Sequence, residues 1–264
     1  AKWCMEFTID TLDSIKDADT EAYHKIVAKT KLTQQEIEVI KSMSKSIYLP
    51  YSKEHGIYLQ QDGFLDKSLT PVSELSTDER PINQHWSWDR ILRSPYIKQA
   101  DTLQAFYFFE DAFTTEELEK HFDFYEPLTV HESSLSTCLH SIQAAKLGRM
   151  NQAYEFYLQT SRLDLDDYNH EVHEGLHITS MAGTWMSIVE GFGGMRIKNN
   201  QLHFSPQIPK QWQSYSFKIN FRGKILKAIV QHSGTSFEVS GDEPMTIVVN
   251  GQATNVEPNF SLTT

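Results

Sequence analysis

Apolar side chains recur at helical spacing from the start of the chain to about residue 192. They then switch to alternation from about residue 195 onward, and this change of period is the strongest organisational signal in the sequence. Trp3, Met5, Phe7, Ile9, Leu12 and Ile15 mark a first helix. Leu32, Ile37, Ile40, Met43, Ile47 and Leu49 mark a second, for which Thr33 is a suitable N-cap. Pro50, Pro71, Pro81 and Pro95 interrupt the next stretch, because proline removes a backbone donor and restricts the residue before it; the pattern predicts long, ordered connections there. Helical patterning resumes over 98–109, and Thr114 followed by Glu117 has capping-box spacing. Further helices are predicted over Leu135–Leu147 and Asn151–Thr160, the latter with Ala153, Phe156, Tyr157 and Thr160 on one stripe. A last helix is predicted from Thr179 to Gly191, with Gly193 and Gly194 as its stop.

Beyond residue 195 the alternation of Tyr215, Phe217, Ile219 and Phe221, followed by Arg222-Gly223 and a second apolar run from Ile225, predicts a hairpin. Several such strands, each able to bury one face, imply a small antiparallel sheet or sandwich. The predicted fold class is therefore mainly α followed by all-β, divided into residues 1–193 and 194–264. The tail, GQATNVEPNFSLTT, reads as one more strand or a frayed end.

Composition narrows the function classes. The 264 residues carry 24 Lys and Arg against 35 Asp and Glu, a formal charge of −11, with 39% hydrophobic and 12% aromatic residues. That is a folded, water-soluble composition. The acidic excess argues against nucleic-acid and membrane-surface partners, both of which need a concentrated basic face, and no apolar run is long enough to cross a bilayer. Cys4 and Cys138 form neither a metal knuckle nor a disulfide framework, so reduced thiols and a cytoplasmic location are expected. The opening AKWCMEFTIDTL lacks an initiator Met and a signal-peptide layout and reads as a helix already under way, so the chain is expected to begin within a longer protein.

Candidate chemistry concentrates in two segments. In FDFYEPLTVHESSLSTCLH, Glu126, His131, Glu132, Ser133, Ser134 and Ser136 crowd together before a helix. The hydroxyls are either ordinary caps for the first backbone amides or part of an anion site, with Lys98 as a further positive charge. In DLDDYNHEVHEGLHITS, Asp164, Asp166, Asp167, His170, Glu171, His173, Glu174 and His177 lie close together, and His173-Glu174-Gly175-Leu176-His177 matches the bare His-Glu-x-x-His zinc pattern. Glycine within that run weakens the helix that zinc geometry needs, and no third ligand is specified, so no metal is expected. Ser133 and Ser134 lack a nucleophile elbow. Paired carboxylates for sugar chemistry remain open, and Trp86, Trp88 and Trp185 are either packing or sugar-stacking residues.

Four blocks in order, IKQAD at 97–101, YEPLTVHESSLS at 125–136, DLDDYN at 164–169 and EGLHITSMAGTW at 174–185, resemble the signature blocks of glycoside hydrolase family 65. The family includes inverting phosphorylases of maltose, trehalose, kojibiose and nigerose, built from an N-terminal β-sandwich, a linker, an (α/α)6 barrel and a C-terminal β-sheet domain. The resemblance implies the C-terminal half of the barrel followed by the sheet domain, a C-terminal fragment whose general-acid glutamate precedes residue 1 and whose other barrel half is its partner. It implies that Ser133, Ser134 and His177 bind phosphate and that Lys98 and Gln99 contact the glucosyl unit, with Glu132 a base only in hydrolytic relatives. Inorganic phosphate would be co-substrate, with no cofactor and no metal. The implied reaction is phosphorolysis of an α-linked glucosyl disaccharide, maltose favoured, to β-glucose 1-phosphate. The chain alone is expected to be inactive, and exposed inner helix faces would favour a homo-oligomer. A hydrolase of the same family and a noncatalytic binding or structural fragment are the alternatives.

Overall fold

The computed structural model describes residues 1–260; the end of the C-terminal tail, 261–264, lies outside the described residues. The chain divides into two compact units, Ala1–Tyr51 and the remainder from Ser52. The first consists of α1 (Lys2–Ala18), α2 (Thr20–Thr30) and α3 (Gln34–Ser46). Asp19 leaves the helical region at φ −152° and its side chain accepts from the Ala22 amide, so one helix ends and the next begins on the same residue. Thr33 and Glu36 form a complete capping box for α3. Ile9 and Leu12 bury against Ile37, with Tyr23, Ile26, Leu32 and Ile40 packed around them. Three helices thus stand where the apolar pattern indicated two, because the stripe on α2 is only two turns long.

The short strand β1 (Tyr51–Ser52) falls on the boundary, and the proline-bearing stretch after it holds β2 (Ile57–Tyr58), three 3-10 turns, α4 (Ile82–His85) and α5 (Trp88–Arg93). Then follow α6 (Thr102–Phe108), α7 (Thr115–Tyr125), α8 (Thr137–Lys146), α9 (Met150–Ser161), α10 (Leu163–Asp166) and α11 (Ile178–Met186). A π-helical segment, Ser187–Phe192, continues α11. Helix α8 is the spine: every residue from Thr137 to Ala145 is buried. It lies against α9 and α11. Gly183 permits the closest approach, since a Cβ there would stand 2.7 Å from the Cys138 Cβ. An aromatic core of Phe64, Phe122, Tyr125, Phe156 and Phe192 fills the space beside these helices. The Tyr125 hydroxyl donates to the Tyr58 carbonyl at 2.7 Å and accepts from the Gln60 amide at 3.0 Å, tying the loop region to α7.

The strands are β3 (Arg196–Lys198), β4 (Gln201–Phe204), β5 (Ser214–Phe221), β6 (Lys224–Gln231), β7 (Gly234–Ser240), β8 (Met245–Val249), β9 (Gln252–Val256) and β10 (Pro258–Phe260). They form two four-stranded sheets, ordered β10-β7-β6-β5 and β3-β4-β8-β9. Leu202, Phe204, Leu226, Val239, Ile247 and Val256 make a common core. The β5–β6 hairpin turns at Arg222 (φ 52°) and Gly223 (φ 80°), the paired positive φ values of a type I′ turn. Arg196 on β3 ties this region to the helices, donating from Nε to Glu110 at 2.7 Å and from Nη1 to the Glu190 carbonyl at 2.7 Å.

Two expectations need correction. The sheets are mixed rather than antiparallel: β4 runs parallel to β8, and β10 runs parallel to β7. Neither pair is joined by a hairpin, and only a hairpin imposes antiparallel pairing. The helices also do not form half of a closed (α/α)6 barrel; no barrel closure exists among the described residues. Helices α8, α9 and α11 pack as a layer instead. The side chains of Leu176, Ile178, Met181 and Trp185 are left exposed along α11 and just before it.

Candidate functional site

A single parallel bridge sets the site. Ile97 accepts from the Val130 amide at 2.9 Å and donates to the Leu128 carbonyl at 3.0 Å, so the chain segments ending in Lys98-Gln99 and in His131 to Ser134 run side by side. Gln99 and Ser133 meet beyond it: the Ser133 hydroxyl donates to Gln99 Oε1 at 2.5 Å and accepts from the Leu135 amide at 3.2 Å. Lys98 is exposed next to this pair.

Between bridge and helix the chain must reverse, and His131 does so in the left-handed region at φ 56°. Its Nδ1 is 2.8 Å from the Ser136 hydroxyl, and its ring stands edge-on to His140 with centroids 4.5 Å apart. Burial holds His131 well below the usual imidazole range, so it is neutral. The next residue, Glu132, is only 2% exposed. Its carboxylate accepts from Arg80 Nε at 3.2 Å and from the Ile82 amide at 2.8 Å. Burial nonetheless pushes its pKa above the ordinary carboxylate value, against the pull of those two donors.

Ser134 points the other way. Its hydroxyl is 2.6 Å from that of Thr179, in the first turn of α11. His177 is the residue immediately before that helix. Asp164, in the first turn of α10, grips it twice: Oδ2 accepts from the His177 amide at 2.9 Å, and Oδ1 stands 2.5 Å from His177 Nδ1. Both contacts lower the Asp164 pKa. The far ring nitrogen, Nε2, has Glu171 Oε2 4.0 Å away. Next to Ser133 opens a cleft of about 390 Å³, bordered by Arg80, His131, Tyr168, Asn169 and His170.

The structure therefore joins Gln99 to Ser133, and Ser134 to the helix turn that His177 precedes. The zinc pattern does not form a metal geometry: Val172–Glu174 is a 3-10 turn, and Gly175 at φ 112° separates it from α11, so His173 and His177 do not share an α-helical face. Trp88 and Trp185 are exposed, and Trp86 packs under the Arg90 guanidinium at 3.6 Å. Sequence reasoning missed Arg80 and Thr179 and gave Asp164 no role beyond membership of an acidic run. A carboxylate placed as deeply as Glu132 requires a cation, but the one that serves it is 52 residues away in the chain.

Residues 1–186 match the model of the glycosyl hydrolase family 65 central catalytic domain, and residues 195–256 match that of the family's C-terminal domain. The chain belongs to glycosyl hydrolase family 65. This corrects the expectation of a C-terminal fragment, since residues of both the central catalytic and the C-terminal domain are present. The chain is 46% identical to maltose phosphorylase of Bacillus subtilis over 98% of its own length and 34% of that protein. It is 39% identical to the alpha,alpha-trehalose phosphorylase of Thermoanaerobacter brockii, over 94% of its length and 32% of the relative. A solved structure described as a kojibiose phosphorylase candidate from the human microbiome superposes with a TM-score of 0.88 at 36% identity, covering 97% of this chain and 35% of that one. The chain thus spans about a third of the length of the curated relatives it matches. No helix among the described residues is long and apolar enough to cross a membrane.

Proposed function

We propose that the whole protein is an inverting phosphorylase of an α-linked glucosyl disaccharide, with inorganic phosphate as co-substrate and maltose as the favoured sugar. The observation that carries this reading is a pair of hydroxyl contacts made by adjacent serines. Ser133 bonds the glucosyl-side Gln99, and Ser134 bonds Thr179, two residues beyond His177. In this reading Lys98 and Gln99 hold the glucosyl unit, and Ser133, Ser134 and His177 hold phosphate. Hydroxyls and an imidazole suit an anion with several strong acceptor oxygens. A phosphate oxygen forms the new bond to the anomeric carbon as the bond to the departing sugar oxygen breaks. Attack from the opposite face turns α into β, giving β-glucose 1-phosphate and a free sugar, whose oxygen takes up a proton. Similarity to a maltose phosphorylase and a trehalose phosphorylase supports the reaction class. Glu132 is engaged structurally in this reading, with Arg80 and the Ile82 amide each bonding one of its oxygens.

Residues 1–193 and 194–264 act as catalytic and accessory regions in this proposal. The test incubates the whole protein with inorganic phosphate and maltose, trehalose or kojibiose in turn and follows the anomer by 31P NMR. Phosphate-dependent β-glucose 1-phosphate is expected, with maltose fastest. Free glucose appearing at the same rate without phosphate would replace the reading with hydrolysis.

A further inference from the structure

The geometry points to Asp164 as the positioning residue that sets which nitrogen of His177 faces phosphate. The inference rests on the proposed phosphate role of His177 and deepens it. Asp164 makes a two-point contact: one carboxylate oxygen accepts from the His177 backbone amide at 2.9 Å, the other faces the ring Nδ1 at 2.5 Å. A carboxylate oxygen only accepts, so Nδ1 carries its hydrogen toward Asp164. A free neutral imidazole readily places its single hydrogen on either nitrogen, and the bond made by one nitrogen fixes the state of the other. With Nδ1–H committed to Asp164, Nε2 is left toward the ligand. Protonated, it donates to a phosphate oxygen; neutral, it accepts the P–OH hydrogen of the monoanion.

The backbone half of the contact fixes the ring's origin, as the ring half fixes its tautomer. His177 immediately precedes α11, whose first turn also carries Thr179, the partner of Ser134. Asp164 therefore holds the imidazole in register with the Ser134 hydroxyl. The charged groups facing the ring are Asp164 on Nδ1 and Glu171, 4.0 Å from Nε2. The latter would be repelled by a bound phosphate, so Asp164, on the far side of the ring, is the carboxylate compatible with the anion.

The test uses the whole protein, labelled with 15N at histidine. Long-range 15N–1H correlation spectra at pH 8, with the His177 signal assigned from its loss in His177→Gln, are expected to show the Nδ1–H tautomer. Asp164→Asn and Asp164→Ala should shift the ring toward Nε2–H and weaken inorganic phosphate binding about tenfold in calorimetry, as loss of an outer hydrogen-bond partner does for histidine ligands. Circular dichroism checks that the variants fold. An Nε2–H tautomer in the unmodified chain overturns the inference without any variant. So does an unchanged tautomer, or unchanged phosphate affinity, in both Asp164 variants. Failure of the underlying reading is separate: His177→Gln that binds phosphate as tightly as the unmodified chain removes His177 from the phosphate site, whatever its tautomer.

Discussion

His140 makes the protein sensitive to mild acid. It sits fully buried in the middle of α8, with Nδ1 3.0 Å from the Ser136 carbonyl. Nε2 has no partner. The rings of His131, Phe156 and Phe122 surround it at 4.5, 5.5 and 5.9 Å. This apolar setting pushes its pKa from 6.5 down to about 4. The unfolded chain therefore binds a proton at pH values where the folded chain does not, and stability falls as pH drops from about 6.5 to about 4. With those two values, linkage gives a loss of ~2 kcal/mol between pH 7 and pH 5 from this one group. His131, displaced in the same direction by burial, adds to the slope, whereas Glu132 and Glu126, displaced upward by burial, oppose it. Comparison with His140→Leu cancels the contributions of Glu132 and Glu126, and that of His131 apart from its interaction with His140. Urea unfolding followed by circular dichroism should show the unmodified chain losing ~2 kcal/mol more than His140→Leu on going from pH 7 to pH 5. Equal losses in the two proteins would refute the assignment of a neutral buried imidazole.

Two further outcomes follow from close contacts. Gly183→Ala places a methyl group 2.7 Å from Cys138 Cβ and 3.0 Å from its Sγ, forcing α11 off α8. It should cost ~1–3 kcal/mol, as overpacking of a filled core does, and unfolding at the unmodified urea midpoint would refute the tight contact. Glu171→Gln removes a carboxylate 4.0 Å from His177 Nε2 and should tighten inorganic phosphate binding ~2- to 5-fold, the scale of a partly screened charge pair. Unchanged affinity would show that Glu171 does not face the anion.

What the chain disclosed in advance follows the range of the interactions involved. The Thr33 N-cap, the Thr114–Glu117 box and the Arg222-Gly223 turn depend on neighbours within a few residues and were legible; the Glu36 half of the Thr33 box was not read in advance. The four signature blocks led to Gln99, Ser133, Ser134 and His177 because spacing and residue type travel together in a motif. Helix α2 escaped notice because its boundary rests on one extended residue, Asp19, rather than on proline or glycine. The parallel pairing of β4 with β8 joins strands more than forty residues apart, and alternation says which face is buried but not which neighbour a strand takes. Arg80 was invisible for the same reason. Nothing local distinguishes a surface arginine from one whose Nη2 donates to Val130 O at 2.5 Å while its Nε serves a buried carboxylate.

The bridge between Ile97 and Thr129 has a consequence for how such a chain can diversify. Gln99 lies two residues past one side of it, and Ser133 four residues past the other. Gln99 and Ser133 are therefore aligned by counting from a shared pair of backbone hydrogen bonds. Adding or deleting one residue inside either short count would separate them. The segment between, α6 and α7 with their connections, can change in sequence without altering that count, provided Ile97 and Val130 still meet. The surroundings are thus free to vary while the spacing between Gln99 and Ser133 stays fixed.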